Sequence, residues 1–150
     1  MNVFHLLRPV VVLLFAVGSV NFAARATGEE RAYLSRSTAV LNLATGDFVA
    51  AGNGTHLGNY TELGNVSITG NDPTALHVEG LATLTAANGD ELCVAITGEM
   101  NFFAGTITGT ITFEGASSGR FEDATGSASL VAQLQPDGTI SVVVVGTIDY

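Results

Sequence analysis

Thr106-Ile107-Thr108-Gly109-Thr110-Ile111-Thr112-Phe113 alternates without a break: Ile107, Ile111 and Phe113 fall on one parity and the threonines on the other. A period of two puts successive side chains on opposite faces, so this is a strand with one buried side. The same rhythm recurs in both directions along the chain. Leu92, Val94 and Ile96 share a face, as do Ala128, Leu130, Ala132 and Leu134, and Ile140, Val142, Val144, Gly146 and Ile148. Beyond residue 32 no window sustains apolar spacing at i, i+3, i+4 and i+7, so helix is not expected. Thr, Val and Ile, which dominate these runs, suit a pleated, half-buried surface.

Turn residues separate the runs. Asn88-Gly89-Asp90 and Pro136-Asp137-Gly138-Thr139 are hairpin signals, and Thr45-Gly46-Asp47 and Gly70-Asn71-Asp72-Pro73 are turns. The expected strands are 33–41, 48–55, 59–69, 75–86, 91–100, 105–114, 127–135 and 139–148. Eight strands joined by short turns form an antiparallel meander. Closing it into an up-and-down β-barrel removes the exposed edges. An eight-stranded barrel has an interior that side chains fill or that holds one small ligand.

The first 26 residues read differently. Met1–Arg8 carries an Arg and a His, Pro9–Val20 is an uncharged apolar run, and Ala24-Arg25-Ala26 is an A-x-A pattern. Together they have the form of a Sec signal peptide, and the run is too short for a membrane-spanning helix, which needs ~20 residues. The expected organisation is therefore a signal peptide at 1–26, a single barrel domain at 27–150, and export to the periplasm or beyond. Cleavage would leave Arg31, Arg36 and Arg120 against 14 acidic residues, a net charge of −11.

Composition excludes several classes. With no Lys, five Arg and a net charge of −9, the 150-residue chain cannot neutralise a row of phosphates, so nucleic acid is not an expected partner. The same charge argues against a polybasic membrane-surface protein. Forty-seven per cent hydrophobic residues is too much for a disordered acidic tail. One Cys rules out a disulfide scaffold. That residue, Cys93, lies in Leu92-Cys93-Val94 with no basic sequence neighbour, and is expected to be a small, buried, unreactive core residue.

Residues 114–128, EGASSGRFEDATGSA, resemble the signature turn of the allene oxide cyclase and dirigent barrel superfamily. The matching positions are Gly115, Gly119, Phe121 and Gly126, with one extra residue between Gly115 and Gly119. Gly54-Thr55-His56-Leu57-Gly58 before a Thr-containing strand also resembles small secreted bacterial barrels of that type. The resemblance implies an eight-stranded antiparallel barrel, often oligomeric. The plant enzymes' catalytic acid and water-holding proline have no matching position. On physical grounds, Gly119 and Gly126 permit unusual backbone angles, Phe121 is expected to plug one barrel end, and Arg120 to pair with Glu122 or Asp123.

Candidate chemistry is sparse. Past the apolar leader, two histidines remain, His56 at a strand end and His77 alternating outward with Glu79. Zinc needs three or four ligands, so no metal is expected, nor any cofactor. No Gly-x-Ser-x-Gly elbow or EF-hand loop occurs. Asp72, Glu79, Asp90, Glu91, Glu99, Glu114, Glu122, Asp123, Asp137 and Asp149 are scattered, mostly at turns, and Glu79 and Glu99 are expected on outer faces. Catalytic residues are therefore not assignable from the sequence. Three N-x-S/T sequons at Asn53, Asn59 and Asn65 fit chance in a chain this rich in Asn, Gly and Thr. The expected interior is Leu92, Val94, Ile96, Ile107, Ile111, Phe113, Leu130, Leu134, Val142, Val144 and Ile148, none able to exchange a proton. The expected function is a non-enzymatic binding or assembly module for apolar small molecules, insensitive to pH unless His56 lies at the mouth. The alternatives are a cyclase- or isomerase-like enzyme on the same barrel, or a small outer-membrane barrel, since Tyr150 follows alternating apolar residues.

Overall fold

The computed structural model describes residues 29–150, so the signal-peptide expectation falls outside the described residues. Eight antiparallel strands follow one another around a closed barrel: β1 (Arg31–Leu41), β2 (Asp47–Gly54), β3 (Gly58–Thr69), β4 (Leu76–Ala86), β5 (Glu91–Asn101), β6 (Thr106–Glu114), β7 (Thr125–Leu134) and β8 (Ile140–Asp149). β8 pairs with β1 from Arg31↔Ile148 to Ala39↔Ile140 and closes the ring. The up-and-down topology expected from the alternating runs is the one present. A single 3₁₀ turn, Gly119–Phe121, interrupts the β6–β7 connection.

The meander gives the barrel two unlike ends. At one end lie the start of β1, the β2–β3, β4–β5 and β6–β7 connections, and Tyr150. Phe121, Leu57, Ala124, Leu92, Ile148 and Tyr33 are all buried there in one cluster. Phe121 is fully buried, as its position between the motif glycines led us to expect. Its anchor differs from expectation: Arg120 Nε lies 3.3 Å from Asp90 Oδ2, in the β4–β5 turn, and its guanidinium covers the Phe121 ring at 4.8 Å. Glu122 and Asp123 are exposed and make no ion pair with it. Gly119 has φ +61°, and a Cβ there would collide with the Asp90 carboxyl. The chain can therefore bring the Arg120–Asp90 clamp close only with glycine at this position.

At the other end lie four connections of modest length, and among the described residues no side chain plugs it as Phe121 plugs the first. Asp47, Asp72 and Asp137 hold these turns by accepting hydrogen bonds. Asn65 Nδ2 donates to Asp47 Oδ1 (2.8 Å), Thr74 Oγ1 to Asp72 Oδ1 (2.7 Å) and Thr139 Oγ1 to Asp137 Oδ1 (2.6 Å). Each hydrogen bond favours the ionised form and lowers that aspartate below its usual range.

Two residues depart from their expected burial. Cys93 is not in the core: with Leu92 and Val94 turned inward, alternation turns Cys93 outward. It lies half-buried beneath the β6–β7 loop, its Sγ 3.6 Å from the Ala116 carbonyl oxygen and 3.7 Å from Thr83 Oγ1. Leu134 shares the parity of Leu130 but ends its strand at the open rim and is exposed.

Candidate functional site

Above the plugged end the barrel is hollow. The inward residues of the open half are Ala39 and Leu41 of β1, Phe48 and Ala50 of β2, Val66 and Ile68 of β3, Val78 of β4, Ile96 of β5, Ile107 of β6, Leu130 and Ala132 of β7, and Ile140 and Val142 of β8. They enclose an apolar cavity of about 80 Å³. Small side chains help make the space: Ala39 and Ala50, register partners on the neighbouring strands β1 and β2, both line it. Gly64 lets the Phe48 ring lie flat on β3, since a Cβ there would strike Phe48 Cε1 and Cζ at 2.5 Å. The rim carries exposed Leu43, Phe102, Phe103 and Leu134, so the way into the cavity is itself apolar.

One wall residue is charged. Glu62 on β3 points inward between Ala50 of β2 and Leu84 of β4, its two register partners. It is half-buried, the free part of its surface facing the cavity. Among the described residues no hydrogen bond or ion pair reaches its carboxylate, and burial pushes its pKa up to about 7. Glu62 also forms part of the lining of a second, smaller chamber below, of about 20 Å³, with Tyr33, Ser35, Ser37 and Tyr60. That volume has room for a single water, which needs roughly 10–15 Å³. The Tyr33 hydroxyl is fully buried there, with no hydrogen-bond partner among the described residues. Burial raises the pKa values of Tyr33 and Tyr60, an effect that Ser35 and Ser37 beside them oppose.

Glu62 overturns the expectation that the interior holds no proton-exchanging group. Its signal was present in the sequence: on β3 it shares parity with Tyr60, Val66 and Ile68, so the alternation that turns those side chains inward turns Glu62 inward too.

His56 does not lie at the mouth. It sits at the plugged end in the β2–β3 turn, with φ +69°, its Nε2 2.9 Å from the Ala32 carbonyl oxygen and its ring edge-on to Tyr150 at 5.6 Å. Of the two residues it is Glu62, not His56, that lines the cavity. His77 faces outward, Nε2 3.0 Å from Glu79 Oε1, and both are exposed. Glu99 is exposed as well. Among the described residues no three His, Cys, Asp or Glu side chains come together as a metal site would require. No protein-family model and no curated protein matches the chain.

Proposed function

We propose that this protein is an exported, non-enzymatic barrel that takes an apolar small molecule into its open half. One observation carries this reading: a barrel plugged at one end by Phe121 and hollow at the other, where the walls are apolar and an apolar rim surrounds the entrance. Apolar walls with few placed polar groups are the usual make-up of small-molecule sites. The test is an environment-sensitive apolar dye titrated into the wild type and into Ala132→Phe, which fills the cavity from β7. Saturable fluorescence enhancement that Ala132→Phe abolishes supports the reading. Enhancement unaffected by the filling overturns it.

A second reading follows from Glu62. A carboxyl titrating near 7 beside the Tyr60 and Tyr33 hydroxyls suits acid–base work on a bound substrate, as a cyclase or isomerase would need. It fits the barrel superfamily that residues 115–126 resemble. Turnover of an apolar substrate that Glu62→Gln removes, with binding retained, would favour it. The outer-membrane alternative calls for an unbroken lipid-facing belt. Exposed Arg36, Asn65, His77 and Glu79 interrupt the outward faces and count against it.

A further inference from the structure

We infer that the cavity selects a slender apolar molecule ending in a protonated amine, its ammonium group set on Glu62. The inference rests on the apolar-pocket reading and adds the chemistry of the ligand's polar end.

Charge is the first support. Among the described residues Glu62 is the one charged side chain lining either chamber. The chain has no Lys, and its described arginines lie elsewhere: Arg31 stacks on Tyr150 at 4.7 Å, Arg120 is held by Asp90 and Arg36 is exposed on the outer face. An anionic ligand would thus find no counter-charge at the cavity floor. It would meet a carboxylate there, inside a chain whose net charge is −9. A cation is drawn in by both.

Hydrogen bonding is the second. A carboxylate set in an apolar wall is costly unless paired, and the described residues give Glu62 no partner. The groups around it come from each neighbouring strand. β1 offers Tyr33, Ser35 and Ser37, β3 itself offers Tyr60, and β2 and β4 flank it with Ala50 and Leu84. Strands β5 to β8 contribute apolar side chains alone. None is a cation. An ammonium group has three N–H donors and no acceptor. Glu62 and the nearby hydroxyl oxygens are acceptors on the side where that head would sit, and the alkyl tail would run up the apolar walls to the rim.

The proposal fixes the sign of the pH dependence. An ammonium requires Glu62 ionised, so affinity rises as Glu62 loses its proton. For a group titrating near 7 the ionised fraction grows about thirtyfold between pH 5.5 and 8.5, while an alkylamine, like lysine at ~10.4, stays protonated throughout. A carboxylic acid would behave in the opposite sense, because only protonated Glu62 tolerates it.

The experiment is calorimetric titration of the purified protein with octylamine, 1-octanol and octanoate at pH 5.5 and 8.5, on the wild type and Glu62→Gln. The expected result is octylamine binding that strengthens about thirtyfold toward pH 8.5 and loses that rise in Glu62→Gln, with octanol bound weakly and equally by both proteins. Retained octanol binding shows that the variant keeps its pocket. Octanol or octanoate matching octylamine at pH 8.5 overturns the amine inference and leaves the apolar pocket standing. So does a pH rise that persists in Glu62→Gln. Failure of all three ligands and of the apolar dye removes both readings.

Discussion

The rings of Phe121 and Tyr150 meet edge to face, 5.0 Å between centroids, and this contact ties the β6–β7 loop to the residue following β8 across the closed end of the barrel. Edge-to-face pairs of this kind add ~0.5–1.5 kcal/mol beyond the area they bury. Tyr150 in turn meets Arg31 and His56, so the β6–β7 loop, the β2–β3 turn, the start of β1 and the end of β8 converge on one aromatic cluster. Phe121→Ala opens a void under it. The expected loss is ~3–5 kcal/mol in urea denaturation, the range for a buried aromatic truncated to Ala. A loss under ~1 kcal/mol would mean that the end closes without it.

Arg120 and Gly119 separate a clamp's charge from its geometry. The Arg120–Asp90 pair is partly exposed, so Arg120→Ala is expected to cost ~0–1 kcal/mol, plus a little for the uncovered face of Phe121. Gly119→Ala combines a positive φ with a collision against the Asp90 carboxyl. It is expected to cost more, ~1–3 kcal/mol. Thermal melts of the two variants side by side check the order; a reversed order would place the loop's stability in the ion pair.

The strands were legible because alternation and turn chemistry agree along the whole barrel domain. Every observed boundary lies within two residues of its expected place; β7, expected from 127, begins at Thr125. Phe121 as a plug was legible from a large apolar side chain between two turn glycines. What the local pattern did not carry was position around and along the barrel. Arg120 has acidic neighbours in sequence, yet the turn at Asp90 is its partner because β5 returns beside the loop. Leu134 has the inward parity but sits a strand's length away from the plug, at the rim. Glu62 was hidden for a different reason. A carboxylate is ordinarily left to solvent, and parity with Tyr60 outweighs that preference only where the cavity spares it full desolvation.

Cys93 tests the outward placement of its side chain. A core thiol would label only on unfolding, whereas Cys93 is half-exposed beneath Ala116. Native protein is therefore expected to react with iodoacetamide without denaturant, more slowly than a free cysteine, and to keep its thermal midpoint within a few degrees afterwards. Ala116→Gly, which thins the cover over the sulfur, is expected to speed the reaction. Labelling that requires denaturant would return Cys93 to the interior.

Glu62 makes stability itself depend on pH. Its folded pKa, about 7, lies above the value of 4.5 for a free glutamate, so between these limits the folded state holds a proton that the unfolded chain has lost. Stability contributed by the neutral carboxyl is complete below about pH 4.5, falls as pH rises toward 7 and is flat beyond. The full shift corresponds to an upper bound of about 3 kcal/mol, reduced to the extent that cavity water solvates the carboxylate. The depressed aspartates of the open-end turns act in the opposite direction, but they lose their contribution at lower pH, as pH falls through their lowered folded pKa values. Glu62→Gln keeps the shape and cannot ionise. It is expected to match the wild type near pH 4 and to exceed it by about 1–3 kcal/mol at pH 8, read from urea midpoints at both values. Parallel pH profiles for the two proteins would mean that Glu62 reaches bulk water and titrates as an ordinary surface glutamate.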